Sequence, residues 1–149
     1  MRILAVDPGS RRVGLAVSDE EGLLASPHST VERRGHAPTI ARVAEIAREV
    51  GAVRIVVGLP VRLDGREGPE ARRARVFGDA LREAAGIELI YLDERYTTSI
   101  AERALRDARV RGARRKTVID QAAAAVLLQG YLDAAPEGGW DARDADEAV

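Results

Sequence analysis

The sequence has no cysteine, only two histidines (His28 and His36), a single lysine (Lys116) and 3% aromatic residues. Without cysteine there are no disulfides and no thiolate metal sites, which fits a reducing cytoplasm. Two histidines exclude a His-rich zinc site and most His-based triads. Aromatics this sparse leave no platform for stacking bases, as RRM and OB sheets have. No run of about 18 apolar residues offers a membrane span. "MRILAVD" lacks a signal-peptide layout, because its apolar stretch is short and leads straight into a turn. The chain is therefore expected to be cytoplasmic, with no membrane segment. Its chemistry must come from carboxylates, arginines and hydroxyls.

The 149 residues are 46% apolar and 32% charged, enough for one globular domain with a real core. The net charge of −1 is unevenly spread. Residues 134–149 carry five acids against Arg143, which leaves residues 1–133 net basic. The tail "AAPEGGWDARDADEAV" has no periodicity and reads as an acidic, flexible appendage to a domain spanning 1–133.

Along that domain, "ILAV" and "VGLAV" read as a hairpin closed by "DPGSRR", with a third strand near Leu23–Ser26. "APTIARVAEIAREVG" has helical spacing, and "VRIVVGLP" is a β-branched run suited to a strand buried on both faces. Pro69 opens a helix to about Ala85. "IELIYLDE" is the next strand, "TTSIAERALRDA" a helix, "VRGARR" a basic loop, and "KTVIDQAAAAVLLQGYLD" the last helix. The order β-β-β-α-β-α-β-α-α implies an α/β fold with a mixed sheet flanked by helices.

Three acids stand where apolar elements meet a boundary: Asp7 ends strand one, Glu94 (beside Asp93) ends the last strand, and Asp120 opens the last helix. Each has an ordinary structural reading. Asp7 before Pro-Gly suits a turn, Asp120 after Thr117 suits a helix start, and Glu94 beside Arg95 suits an ion pair. Taken together they allow another reading, because acids at strand ends of an α/β sheet project toward one rim. Clustered carboxylates repel unless a cation lies between them. An oxygen-only cluster favours Mg²⁺ or Mn²⁺ over zinc. Such ions clamp the attacking and leaving oxygens of a phosphodiester displacement. Seven cations against Asp107 fill positions 103–116, just before Asp120. They form either a solvated face or a bed for a phosphodiester backbone.

"DPGSRRVGLAVSD", "IVVGLPVRLDGREGPEARRARVF", "YLDERYTTSIAE" and "RRKTVIDQAAAAVLLQGYLD" together resemble the YqgF/RuvX family of pre-16S rRNA nucleases, also described as Holliday-junction-resolvase-like. The resemblance covers residues 1–133. It implies an RNase H-like fold: a five-stranded mixed sheet, its first three strands antiparallel, with helices on both faces. It also implies that Asp7, Glu94 and Asp120 are catalytic and hold Mg²⁺ or Mn²⁺. Related resolvases take an acid from the strand reading "IVVGLP", where this chain has Gly58; an acid from "LDER" would replace it. Asp93 and Glu94 point to opposite faces of a strand, so one of them enters the site, and Glu94 is taken for its reach. Arg12, Arg95, Arg114, Arg115 and Lys116 are expected on nucleic acid, either pre-rRNA or branched DNA. The protein would act as a monomer or homodimer. A junction resolvase and a non-catalytic binding module in ribosome maturation remain alternatives to an rRNA nuclease.

Overall fold

A computed structural model describes residues 1–60, 62, 64–93 and 112–134, with side chains from 120 onward in the last segment. Its elements are β1 (Arg2–Pro8), β2 (Arg12–Ser18), β3 (Ala25–Glu32), α1 (His36–Glu49), β4 (Ala52–Leu59), α2 (Pro69–Ala85), β5 (Glu88–Asp93) and α3 (Gly112–Ala134). The helix expected over "TTSIAERALRDA" and the acidic tail lie outside the described residues.

The five strands form one sheet in the order β3-β2-β1-β4-β5. The first three pair antiparallel, and β1-β4 and β4-β5 pair parallel. Strand β4 takes an interior place, between β1 and β5, because it can be buried on both faces. Ile55, Val57 and Leu59 face one core while Val56 faces the other. The first core packs the sheet against α1 and α2, with Val43, Ile46, Phe77 and Leu81 fully or almost fully buried. The second packs it against α3, using Ala5, Ala16, Ile90, Ala124, Leu127, Leu128 and Tyr131. Helices thus cover both faces, as expected.

The third strand departs from expectation. It begins at Ala25, and Leu23 and Leu24 are largely exposed in the preceding loop. The Asp19 carboxylate accepts the backbone N–H groups of both leucines, at 2.8 and 3.2 Å, and holds them in a turn. Strand β3 is an edge strand with few apolar residues, including Pro27, so ladder pairing with β2 locates it rather than hydrophobicity. Its start is also tied to α3, where the Gln129 side-chain oxygen accepts the Ala25 N–H at 2.9 Å.

Helix α2 begins at Pro69, as its sequence implies, and ends on the left-handed Gly86. Its packing on β5 depends on a missing side chain. A Cβ at Gly78 would lie 2.4 Å from the Tyr91 hydroxyl. That hydroxyl sits 2.6 Å from Asp79 Oδ1 and 2.9 Å from the Arg75 carbonyl oxygen, so its single proton has two acceptors at hand. The substitution Gly78→Ala is expected to lower stability by about 1–3 kcal/mol, through overpacking of a ring that cannot move away. Urea denaturation of wild type and variant measures it, and an unchanged midpoint contradicts the packing described.

Candidate active site

The β1–β2 hairpin sets the first site residue. Its turn closes through the Gly9 N–H donating to the Arg12 carbonyl at 2.9 Å. Asp7 therefore stands on the strand proper, paired directly with Gly14. Residues opposite one another in an antiparallel pair project to the same face. Ala5, two residues before Asp7, packs in the α3-side core, so the Asp7 side chain continues that row toward α3.

Gly14 shows how near α3 comes. A Cβ built there would lie 2.0 Å from the Asp120 carbonyl oxygen and 3.1 Å from its Cα. Only a glycine lets the helix backbone rest on the strand here. The cross-strand partner of Asp7 thus lies against the backbone of Asp120, on the same face of the sheet. Arg12 joins them on the same face, its Nε donating to Asp120 Oδ2 at 3.0 Å, with both side chains about one-quarter exposed (25% and 26%). Burial raises the Asp120 carboxyl above the ordinary aspartate value, and the Arg12 guanidinium pulls it partly back.

Helix α3 itself begins earlier than expected. Asp120 is expected in its first turn, but the helix runs from Gly112, more than two turns before it. The segment "GARRK" is rich in strong helix formers and continues the helix backward, where a basic loop is expected. Asp120 is thus an interior helix residue, which removes its reading as a capping acid. Arg114, Arg115 and Lys116 belong to the opening turns of α3, while Glu94 and Arg95 lie outside the described residues. Asp93 pairs with Leu59, which packs on the α1/α2 side, so Asp93 lies on the face opposite Asp7.

The donor set is oxygen-only. Among the described residues no three His, Cys, Asp or Glu side chains come together as a metal site, so Asp7 and Asp120 are what this part of the chain offers. That pair fits Mg²⁺ or Mn²⁺, since Mg²⁺ is commonly held by one or two carboxylates with water and substrate phosphate completing the shell.

On the other side of the β1 end, a cleft of about 750 Å³ is lined by Asp7, Ser10, Arg33, Arg72 and Arg73 among others. Neither this cleft nor the role of Gly14 is among the features expected from the sequence. Glycine inside a strand pattern was a usable signal for the close approach. Nothing in local spacing marks Arg33 or the Arg72–Arg73 pair.

Comparison with known proteins adds a lineage to this geometry. A family profile described as RuvX, Holliday junction resolvase, matches residues 1–134. A protein of Symbiobacterium thermophilum named "Putative pre-16S rRNA nuclease" is 47% identical, over 90% of this chain and 93% of its own. A Nocardia farcinica protein of the same name is 49% identical, over 89% and 77%. Among solved structures, Thermus thermophilus RuvC in complex with Holliday junction substrate aligns with TM-score 0.55 at 19% identity, covering 85% of this chain and 92% of that one. The fowlpox virus Holliday junction resolvase aligns with TM-score 0.55 at 12% identity, covering 89% and 99%. At such identities these two structures establish the RNase H-like fold alone.

Two outcomes follow from the contact between Gly14 and Asp120. Gly14→Ala must push α3 off the sheet, and is expected to cost about 2–3 kcal/mol in chemical denaturation. The second outcome concerns pH. Because burial raises the folded-state value of Asp120, the folded protein binds its proton more tightly than the unfolded chain does. Stability contributed at this position is therefore lost as pH rises from the ordinary value of 3.8 through the raised one. In EDTA, Asp120→Asn is expected to match wild type near pH 3 and to be relatively more stable at pH 7. A stability difference independent of pH contradicts this assignment.

Proposed function

The chain belongs to the RuvX family, and on that premise we propose that it is a divalent-metal-dependent nuclease that hydrolyses phosphodiester bonds in structured nucleic acid, its substrate being the 5′ end of pre-16S rRNA in the cytoplasm. The observation that carries this reading is the seating of the α3 backbone at Asp120 on Gly14, the cross-strand partner of Asp7, with Arg12 bonded to the Asp120 carboxylate. Relatives named for pre-16S rRNA support the choice of RNA. The family match ends at residue 134, which supports confining the working unit to residues 1–133.

In this reading Asp7 and Asp120 hold the ion, and Glu94 is the third acid. Glu94 is preferred over Asp93 because Asp93 lies on the α1/α2 face. When bound, Mg²⁺ or Mn²⁺ supplies positive charge that polarises a phosphoryl oxygen and eases proton loss from the attacking water. The chain's own residues position the rest. The Arg12 bond orients the Asp120 carboxylate through Oδ2, and partial burial strengthens its attraction for a cation. Arg12, Arg95, Arg114, Arg115 and Lys116 are assigned to backbone phosphates, which give affinity without reading base edges.

The test is manganese-dependent cleavage of a precursor 16S rRNA fragment beside a four-way DNA junction. Asp7→Asn and Asp120→Asn are each expected to reduce the rate at least about a hundredfold, as losing a charge-stabilising group does, and EDTA is expected to abolish it. Activity equal to wild type in Asp7→Asn defeats the reading. Cleavage of the junction alone turns it to a branched-DNA resolvase, and binding with no turnover at any metal concentration to a non-catalytic module.

A further inference from the structure

The α3 patch accounts for one side of the β1 end. On the other side, the cleft runs between the β1–β2 turn and the start of α2. Arg33 is its innermost cation. Its Nε donates to the Gly9 carbonyl at 2.6 Å, and its guanidinium carbon lies 4.9 Å from the centre of the Phe77 ring. Neither partner cancels its charge, and among the described residues it forms no ion pair. Burial lowers its pKa from the ordinary arginine value, yet a guanidinium stays charged in proteins. The result is a half-buried cation, fixed in orientation, with one of its five N–H donors committed to the Gly9 carbonyl.

Arg72 and Arg73 extend this charge outward along the first turns of α2, exposed and without an ion pair among the described residues. Two acids, Asp7 and Glu70, line the cleft against these three arginines. Pro8, Pro60 and Pro69 supply apolar walls that have no N–H to satisfy. A volume of about 750 Å³ falls within the range of small-molecule sites, roughly 300–1,000 Å³, and admits a nucleotide unit. Phe77 is 1% exposed beneath Arg33 and offers no face for a base. Phosphate and sugar are what these walls can hold.

We propose that this cleft binds a backbone phosphate of the substrate strand flanking the reacting one, with Arg33 as its fixed inner contact and Arg72 and Arg73 as its outer contacts. The proposal rests on the nuclease reading for the strand that passes Asp7. It adds a second binding surface on the face of the sheet opposite α3. A strand lying across the carboxyl end of β1 then has cations on both sides of Asp7, which fixes its direction of travel.

Fluorescence anisotropy with a labelled RNA hairpin bearing a single-stranded tail, in EDTA over a series of salt concentrations, tests this without turnover. Arg72→Ala with Arg73→Ala is expected to weaken binding and to make the slope of log affinity against log salt shallower by about 1.4, at roughly 0.7 per single-strand phosphate contact. Arg33→Lys keeps the charge and loses the fork, so it is expected to weaken binding with the slope retained. Arg42→Ala with Arg48→Ala removes the same charge from the exposed face of α1 and is expected to leave the slope unchanged. A wild-type slope in the Arg72/Arg73 variant, an equal change in both double variants, or no RNA binding overturns the proposal. If cleavage is lost in Asp7→Asn while all slopes agree, the cleft fails and the nuclease reading stands. If wild type does not cleave while the Arg72/Arg73 variant shows the shallower slope, the nuclease reading fails and the cleft stands.

Discussion

The arrangement depends on one close approach, the backbone of α3 at Asp120 resting on β2 at Gly14. Gly14 is the cross-strand partner of Asp7, so a helix resting on Gly14 brings its backbone at Asp120 to the strand pair that carries that acid. Two carboxylates more than a hundred residues apart thereby share one face of the sheet. Burial of the Asp120 carboxylate is a cost to folding that a bound cation would offset, because a nearby positive charge favours the charged form. The Arg12 bond to Asp120 offsets part of that cost within the chain itself.

The core beneath α3 is graded to permit this approach. Toward its C-terminal end, Leu127, Leu128 and Tyr131 fill the space between helix and sheet, and Arg54 on β4 donates to the Tyr131 hydroxyl at 2.6 Å. Toward Asp120, the facing sheet residues shrink to the Ala5–Ala16 pair and then to Gly14. Large side chains hold the helix off the sheet, and small ones let it descend. The α1/α2 face has no comparable gradient: Leu4, Val6, Leu15, Ile55, Phe77 and Leu81 make a thick core. Asp7 and Asp120 therefore lie toward the face whose packing is thin, and the cationic cleft on the side whose packing is deep.

Much of this was legible in the chain. The β-branched run at 53–60 announces a strand buried on both faces, Pro69 a helix start, and the four motif blocks the RNase H-like sheet with three antiparallel strands. Asp7 and Asp120 stand out in the sequence by their boundary positions, and the structure sets Asp7 on the sheet face that α3 covers. Asp120 was assigned to the wrong kind of position, because helix propensity in "GARRK" carries α3 two turns further back than the capping pattern suggested. Strand β3 was misplaced because its ends are set by ladder bonds and Gln129, which leave no hydrophobic trace. The Arg33 cleft was invisible for a stronger reason. Its parts come from a hairpin turn, the end of an edge strand and the start of a helix, and only tertiary packing relates them.

That difference follows from how each kind of charge is held. An acid serving a metal must be fixed closely, so it sits on a strand or inside a helix, where the apolar pattern around it leaves a mark in sequence. A cation serving a phosphate backbone acts over several ångströms through solvent and tolerates an exposed helix turn. Arg33 stands between these cases: it is exposed enough to meet a ligand, yet pinned to the Gly9 carbonyl of the same turn that follows Asp7. Any shift of that turn moves Arg33 with it. The hairpin thus couples the two sides of the sheet, since β1 carries Asp7 toward α3 while its turn fixes the arginine in the cleft. A strand of nucleic acid that engaged one side would find the position of the other already set.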